Sequence, residues 1–154
     1  MKIGIIGNGF VGSATALLEC ADISIIIYDI NPVLCKPSNI TLNDICNCDL
    51  ILISVPTPMN KNGSCHTNIL ESVVHNISQI KSTNELLLIN RCTVPVNTSN
   101  DLNCYYMPEF LTEKNFKSDF INNPEWIFGL KNSSTDILFK KKITELINIA
   151  HKNK

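Results

Sequence analysis

Residues Lys2 to Asp29 restrict the fold more than any other stretch of the chain. They run Lys-Ile-Gly-Ile-Ile-Gly7-Asn-Gly9-Phe-Val-Gly12, then an amphipathic stretch, then Ile-Ser-Ile-Ile-Ile-Tyr28-Asp29. A short apolar run that opens at once into G-x-G-x-x-G and a helix-forming segment reads as buried strand, tight turn and helix. A second apolar run ending in an acid completes the βαβ unit. Gly7 permits the turn out of the strand, Gly9 lets backbone approach a pyrophosphate, and Gly12 lets the helix pack closely. The helix N-terminus offers unpaired N–H groups and a partial positive charge to phosphate. Asn8, Phe10 and Val11 fill the positions between the glycines and belong to the same cofactor-binding turn. Asp29 stands about twenty residues beyond Gly7, where a carboxylate can accept the hydroxyls of an adenosine ribose.

Asp29 also selects among dinucleotides. A 2′-phosphate would meet its negative charge, and the residues that follow are Ile30, Asn31 and Pro32, with no arginine among them. The expected cofactor is therefore NAD and not NADP.

The 154 residues suit one domain with a real core, and 44% hydrophobic with 18% charged residues is a globular composition. A net charge of −1 gives no electrostatic case for nucleic acid or an anionic membrane. No apolar run reaches the ~20 residues of a membrane span, and the N-terminus reads as a core strand and not a signal peptide. A cytoplasmic protein is expected. The seven cysteines are odd in number and irregularly spaced, which points to free thiols. Cys46-x-Cys48 lacks the spacing of a zinc site, so no metal is expected.

Along the chain, strands are expected at Lys2–Gly7, Ser24–Asp29, Asp49–Val55, Glu85–Asn90 and Cys104–Met107, with short ones at Ser38–Thr41 and Trp126–Gly129. Helices are expected at Phe10–Cys20, Leu42–Cys46 (a single turn), Asn68–Ile80, Glu109–Phe120 and Ser134–His151. In Asn68–Ile80 the apolar residues Ile69, Val73, Ile77 and Ile80 share one face. In the last helix Ile137, Leu138, Ile143, Leu146 and Ile147 are apolar. Asn97–Asn103 is too polar to assign. Alternating strand and helix specify α/β, a Rossmann-type doubly wound, mainly parallel sheet in a single domain. Ligands of such sheets bind beyond the carboxyl ends of the strands. Gly7–Gly12, Asp29, Val55–Pro58, Arg91–Pro95 and Met107–Glu113 all fall there.

Those strand-end segments, in that order, resemble the N-terminal NAD-binding domain of the UDP-glucose/GDP-mannose dehydrogenase family. The family's Val-Pro-Thr-Pro loop is matched by Val55-Pro56-Thr57-Pro58, and its Ser-Thr-Val-Pro loop by Cys92-Thr93-Val94-Pro95. Its Asn-Pro-Glu-Phe-Leu-Arg-Glu segment is matched by Met107-Pro108-Glu109-Phe110-Leu111-Thr112-Glu113, and its closing Pro-x-x-Ile-Val-x-Gly by Pro124–Gly129. The Glu-Phe-Leu wording is most similar to the UDP-glucose branch. Members oxidise the C6 alcohol of a nucleotide sugar to a carboxylate with two NAD⁺. The resemblance implies that Val55, Pro56, Thr57, Pro58 and Thr93 line the cofactor groove. It places Thr93 and Glu113 at the reacting centre with a catalytic water, and Glu109 at the junction of substrate and cofactor. Such a relay suits the chemistry, because a hydride leaves carbon only as its hydroxyl proton is removed. On the residues alone, Pro56 and Pro58 equally suit a strand end and Thr93 a turn. Glu109 and Glu113, four apart, equally suit one solvated helix face.

The family's thioester chemistry uses a Cys in a Gly-Gly-x-Cys-x-Pro-Lys-Asp type motif and a Lys and an Asn on a long central helix. No cysteine here stands in such a motif. The expectation is residues 1–154 as one NAD-binding domain, a truncated relative without the central-helix and C-terminal nucleotide-sugar domains. Its catalysis would need the missing half in cis or from a partner, with a nucleotide sugar as substrate. The alternatives are a degenerate, non-catalytic NAD-binding or interaction module, and a small NAD-dependent reductase of unrelated substrate.

Overall fold

The computed structural model describes residues 1–152. The strands are β1 (Lys2–Ile6), β2 (Ser24–Tyr28), β3 (Leu50–Ile53), β4 (Leu88–Asn90) and β5 (Tyr105–Tyr106). They form one five-stranded sheet in the order β2-β1-β3-β4-β5, and every neighbouring pair is parallel. The helices are α1 (Phe10–Thr15), α2 (Leu42–Ile45), α3 (Asn68–Ile80), α4 (Thr98–Asp101), α5 (Phe116–Asn122) and α6 (Asp136–Lys152).

The unbroken apolar runs of β1 and β3 are those of strands covered on both faces, and the register sorts their side chains. Ile3 pairs with Leu50 and Ile5 with Leu52; these four pack with Ala14 of α1, Phe120 of α5, and Phe139, Ile143 and Leu146 of α6. Ile6, Ile51, Ile53 and Leu88 turn the other way, onto Ile45 of α2 and Leu70, Val74 and Ile77 of α3. The sheet is thus doubly wound as expected. The chain leaves β1 for β2 on one side and returns to β3 on the other, so the winding reverses between β1 and β3. That reversal is where such sheets open a ligand crevice.

Several local expectations are corrected. Ser38–Thr41 is not a strand: the Ile40 N–H closes a turn on the Pro37 carbonyl at 3.1 Å, and the edge beside β2 is taken by an antiparallel bridge between Ile27 and Lys36. The first helix is shorter than its apolar pattern, with α1 tightening into a 3₁₀ turn at Ala16–Leu18 before Cys20 pairs with Ile23. The helix expected at Glu109–Phe120 begins only at Phe116. Phe110 has φ +46°, which is non-helical, and both the N–H and the hydroxyl of Thr112 bond Asp119 Oδ2, at 2.8 and 2.6 Å. Trp126–Gly129 contributes only a bridge from Gly129 to Tyr106. The polar stretch at Asn97–Asn103 forms α4, a single turn.

Two helix faces also differ. The buried residues of α3 are Leu70, Val74 and Ile77, while Ile69 and Ile80 are 38% and 42% exposed. In α6, Phe139, Ile143 and Leu146 are buried, whereas Ile137 and Leu138 are 82% and 49% exposed. All seven cysteines are free thiols. No helix among the described residues is long and apolar enough to cross a membrane.

Asp49, at the start of β3, fixes the far end of the sheet. Its Oδ2 accepts the Lys2 N–H at 2.8 Å and its Oδ1 meets Lys142 Nζ of α6 at 2.8 Å. The Lys142 hydrogen bond and the Lys2 N–H hold the Asp49 carboxyl below its ordinary 3.8. Asp49 in turn holds Lys142 above 10.5. A depressed acid stabilises the fold above its unfolded value and loses that effect as pH falls through the folded one. Lys142→Met should therefore lower stability at pH 7 by no more than about 1 kcal/mol, the range of partly exposed pairs. The difference from wild type should be full between pH 3.8 and 10.5, and be lost only as pH falls through the lowered Asp49 value or rises through the raised Lys142 value. Urea unfolding of both proteins across pH measures it; a constant difference down to acid pH removes the pair as its cause.

Candidate functional site

The turn from β1 into α1 is closed by backbone contacts that exclude side chains at two positions. Gly7 has φ +93°, and a Cβ there would meet the Ser54 carbonyl oxygen at 2.4 Å. A Cβ on Gly12 would lie 1.9 Å from the Gly7 carbonyl oxygen. Gly12 therefore seats α1 on the turn itself, a closer contact than the helix-on-sheet packing its position implied. Gly9 differs: a Cβ there would meet nothing within 4 Å. Gly9 is also the N-cap of α1, with no side chain capping the helix. The N-terminus of α1 thus has no side-chain cap and an open position at Gly9, as a pyrophosphate site requires.

Asp29 lies at the end of β2, half-buried. Its Oδ2 accepts the Asn8 N–H at 2.8 Å and its Oδ1 the Asn31 N–H at 2.9 Å. The carboxylate is thereby aimed and tied to the glycine turn. Two carboxylate oxygens offer about four acceptor positions, so each retains capacity for a ligand hydroxyl. Asn8 further joins the turn to its surroundings, its Nδ2 donating to the Leu34 carbonyl at 2.8 Å and its Oδ1 accepting from Ser13 Oγ at 3.0 Å.

A groove of about 730 Å³ runs over this turn, within the range of small-molecule and cofactor sites. Of the residues expected to bind cofactor, Gly7, Gly9, Phe10, Val11, Asp29, Val55 and Pro56 line it. Asn8, Gly12, Thr57, Pro58 and Thr93 do not reach its walls. The sequence reading missed Tyr28, Leu34, Leu42, Ile69 and Val73, which make one wall apolar. Ile69 and Val73 share a face with Ile77 by helical spacing, which does not distinguish a core face from a groove wall. An open Gly9, an uncapped helix end, an aimed carboxylate and an apolar wall together fit a dinucleotide.

Beyond the groove, three strand-end loops are joined in a line. The Thr57 hydroxyl, after β3, donates to the Thr93 carbonyl at 2.8 Å. The Thr93 hydroxyl, after β4, donates to Glu109 Oε1, after β5, at 3.1 Å. Thr93 and Glu109 are thus brought together. Glu113 is exposed in the turn before α5 and takes no part in these hydrogen bonds. Because no helix joins Glu109 to Glu113, the two do not share a helix face. Cys65 flanks the line with its thiol 3.7 Å from the Thr93 carbonyl. Cys92 is buried against the Ile53 carbonyl, and burial pushes its thiol up to about 11, which makes it inert at neutral pH.

Gly9→Val should fold as the wild type does, since its place is open, yet lose dinucleotide binding. Gly12→Ala should instead destabilise the protein by about 1–3 kcal/mol or more, as overpacking does. Thermal unfolding and NAD⁺ calorimetry on both variants separate these effects. An unstable Gly9→Val, or a Gly12→Ala as stable as wild type, contradicts the geometry.

Comparison with known proteins identifies the family. Residues 34–148 match the NAD-binding domain model of the UDP-glucose/GDP-mannose dehydrogenase family, a span that begins after the glycine turn and covers well over half the chain. The UDP-glucose 6-dehydrogenase of Rickettsia prowazekii is 27% identical over 123 residues, 73% of this chain and 28% of that protein. A UDP-glucose dehydrogenase structure from Pyrobaculum islandicum superposes with TM-score 0.74 at 16% identity, covering 98% of this chain and 44% of that one. A GDP-mannose dehydrogenase structure from Pseudomonas aeruginosa superposes with TM-score 0.72 at 21% identity, covering 91% and 43%. This chain thus spans under half the length of these relatives. With its glycine turn, its aimed Asp29 and the family's loops at the ends of β3, β4 and β5, the chain belongs to the UDP-glucose/GDP-mannose dehydrogenase family and carries its NAD-binding domain.

Proposed function

We propose that this chain is the NAD-binding part of a cytoplasmic nucleotide-sugar 6-dehydrogenase, which oxidises the C6 alcohol of UDP-glucose or a related nucleotide sugar to the uronate. The observation that carries the proposal is the hydrogen-bonded line from Thr57 through Thr93 to Glu109. It joins a hydroxyl and a carboxylate across the strand ends, near the groove. NAD⁺ supplies the hydride acceptor. Asp29 takes the adenosine ribose, the wall of Leu42, Ile69 and Val73 takes the adenine, and the α1 N-terminus takes the pyrophosphate.

Around the reacting carbon, the Thr93 hydroxyl and the Glu109 carboxylate order the water or substrate hydroxyl whose proton must leave with the hydride. Glu109 also places a negative charge where the oxidised, cationic ring is preferred over the reduced one. Glu113 acts from the exposed turn before α5 and joins this group when substrate fills the space between them. Oxidation beyond the aldehyde calls for a thiol nucleophile or an equivalent hydrate. Neither buried Cys92 nor the position of Cys65 meets the family's motif. The nucleophile, and the surface that holds the nucleotide, come in this reading from a further segment in cis or a partner in trans.

Calorimetry should show NAD⁺ binding more tightly than NADP⁺, because Asp29 repels a 2′-phosphate. Equal or stronger NADP⁺ binding would remove Asp29 from the ribose site.

These 154 residues alone should produce no NADH from UDP-glucose or GDP-mannose. With the nucleotide sugar unheld, the proximity effect, up to ~7–11 kcal/mol, is largely lost. Acid–base help of about 10²–10⁴-fold does not replace it. Adding a separately expressed C-terminal half of a family member should restore turnover, and Glu113→Ala should then reduce it. Steady NADH formation by the chain alone would make it a complete enzyme. Binding of NAD⁺ with no turnover under any complementation would favour a non-catalytic module.

A further inference from the structure

Arg91, the only arginine of the chain, lies just past β4 and is 1% exposed. Its Nη1 donates to Thr15 Oγ1 at the end of α1. Its guanidinium lies over the Phe120 ring of α5, with Cζ 5.5 Å from the centroid. Its Nε and Nη2 are buried and meet no acceptor among the described residues. Burial pushes the guanidinium down to about 10, opposed by the nearby Glu109 charge, so it remains a cation at neutral pH. A buried cation with two unmet donors is costly and calls for an explanation.

The surroundings supply one. Arg91, Glu109 and Glu125 line one cleft together with Pro108 and Phe110. Among the groups of that cleft, the Glu109 carboxylate is the one whose charge acts on the guanidinium. Glu109 uses Oε1 for the Thr93 hydroxyl, and a carboxylate has further acceptor positions. The segment that carries it is held out of helical geometry, with Phe110 at φ +46°, so something must fix where it lies. Glu125 is the other carboxylate in the cleft, but it is exposed and takes no part in the line of strand-end contacts.

We propose that Arg91 is a positioning residue, the third member of a Thr93–Glu109–Arg91 relay. Its buried charge orients the Glu109 carboxylate, and through that charge and its contact with Phe120 it pins the segment Met107–Asn122 to the end of the sheet. The logic is that of an acid–base pair whose base is held by a third group. The role of Glu109 in catalysis rests on the function proposed above; the anchoring does not.

The test measures amide hydrogen exchange on the full chain without cofactor, in Arg91→Met, Arg91→Lys, Glu109→Gln and the Arg91→Met/Glu109→Gln double variant. Arg91→Met should speed exchange in residues 107–122 at least tenfold and leave β1 and β3 unchanged. Arg91→Lys should return it to within threefold of wild type. Glu109→Gln should match Arg91→Met, and the double variant should be no faster than either. Unchanged exchange in Arg91→Met, equal acceleration throughout the sheet, or additive effects in the double variant would each overturn the proposal. If Arg91→Met does not fold, Glu109→Gln decides: it must loosen residues 107–122 selectively or the proposal fails. NAD⁺ calorimetry on the same proteins keeps the two readings apart. Wild type that binds no NAD⁺ defeats the proposed function, while the exchange data still decide the role of Arg91.

Discussion

The carbonyl oxygen of Gly7 lies where a side chain on Gly12 would begin, and Gly7 itself is pressed against the carbonyl of Ser54. Strand β1, the loop after β3 and helix α1 thus meet through backbone alone, with no side-chain layer between them. That contact sets the height of α1 above the sheet and so points its uncapped N-terminus over the reversal between β1 and β3. It also brings the Asn8 N–H within 2.8 Å of Asp29. The phosphate end and the ribose end of the groove are in this way one rigid piece. A disturbance of the turn acts on both.

This is also why the glycine turn and the acid tied to it could be read from residues alone. Glycines that no other residue can replace, followed at the proper distance by an acid, leave a pattern in sequence because they are backbone constraints. The central strands were equally plain, being short apolar runs buried on both faces. What could not be read depended on tertiary neighbours. Ile69 and Val73 repeat at helical spacing like Leu70 and Val74, but only the assembled sheet shows which pair faces the core and which faces the groove. The segment Glu109–Asn115 has a helix-compatible composition, yet Phe110 in the left-handed region and the Thr112–Asp119 contacts delay the helix to Phe116. The site of Arg91 gave one faint sign, a lone charge directly after the apolar strand Leu88–Asn90, which composition alone does not distinguish from a solvated strand end.

The groove and the line of strand-end contacts rest on different physics. The groove is made of open backbone and half-exposed apolar walls. The Thr57–Thr93–Glu109 line is made of hydrogen bonds between loops that contribute little to the core, above a cation that ordinary packing would exclude. Unfavourable burial of charge and a strained φ at Phe110 sit side by side there, and nowhere else among the described residues does the chain combine the two. Such concentration is expected where geometry, more than stability, is the constraint.

The margins of the sheet carry a consequence of their own. At the β2 side, Ile27 and Lys36 exchange two backbone hydrogen bonds at 2.7 and 2.9 Å; at the β5 side, Tyr106 and Gly129 do the same at 3.2 and 2.8 Å. Each margin is interrupted by one irregular bridge, and β5 has only two residues. An exposed sheet edge is a template on which a second chain can add a strand and begin to aggregate. Here each bridge uses up donors and acceptors that a continuous ladder would need, so the sheet is guarded against growth from either side.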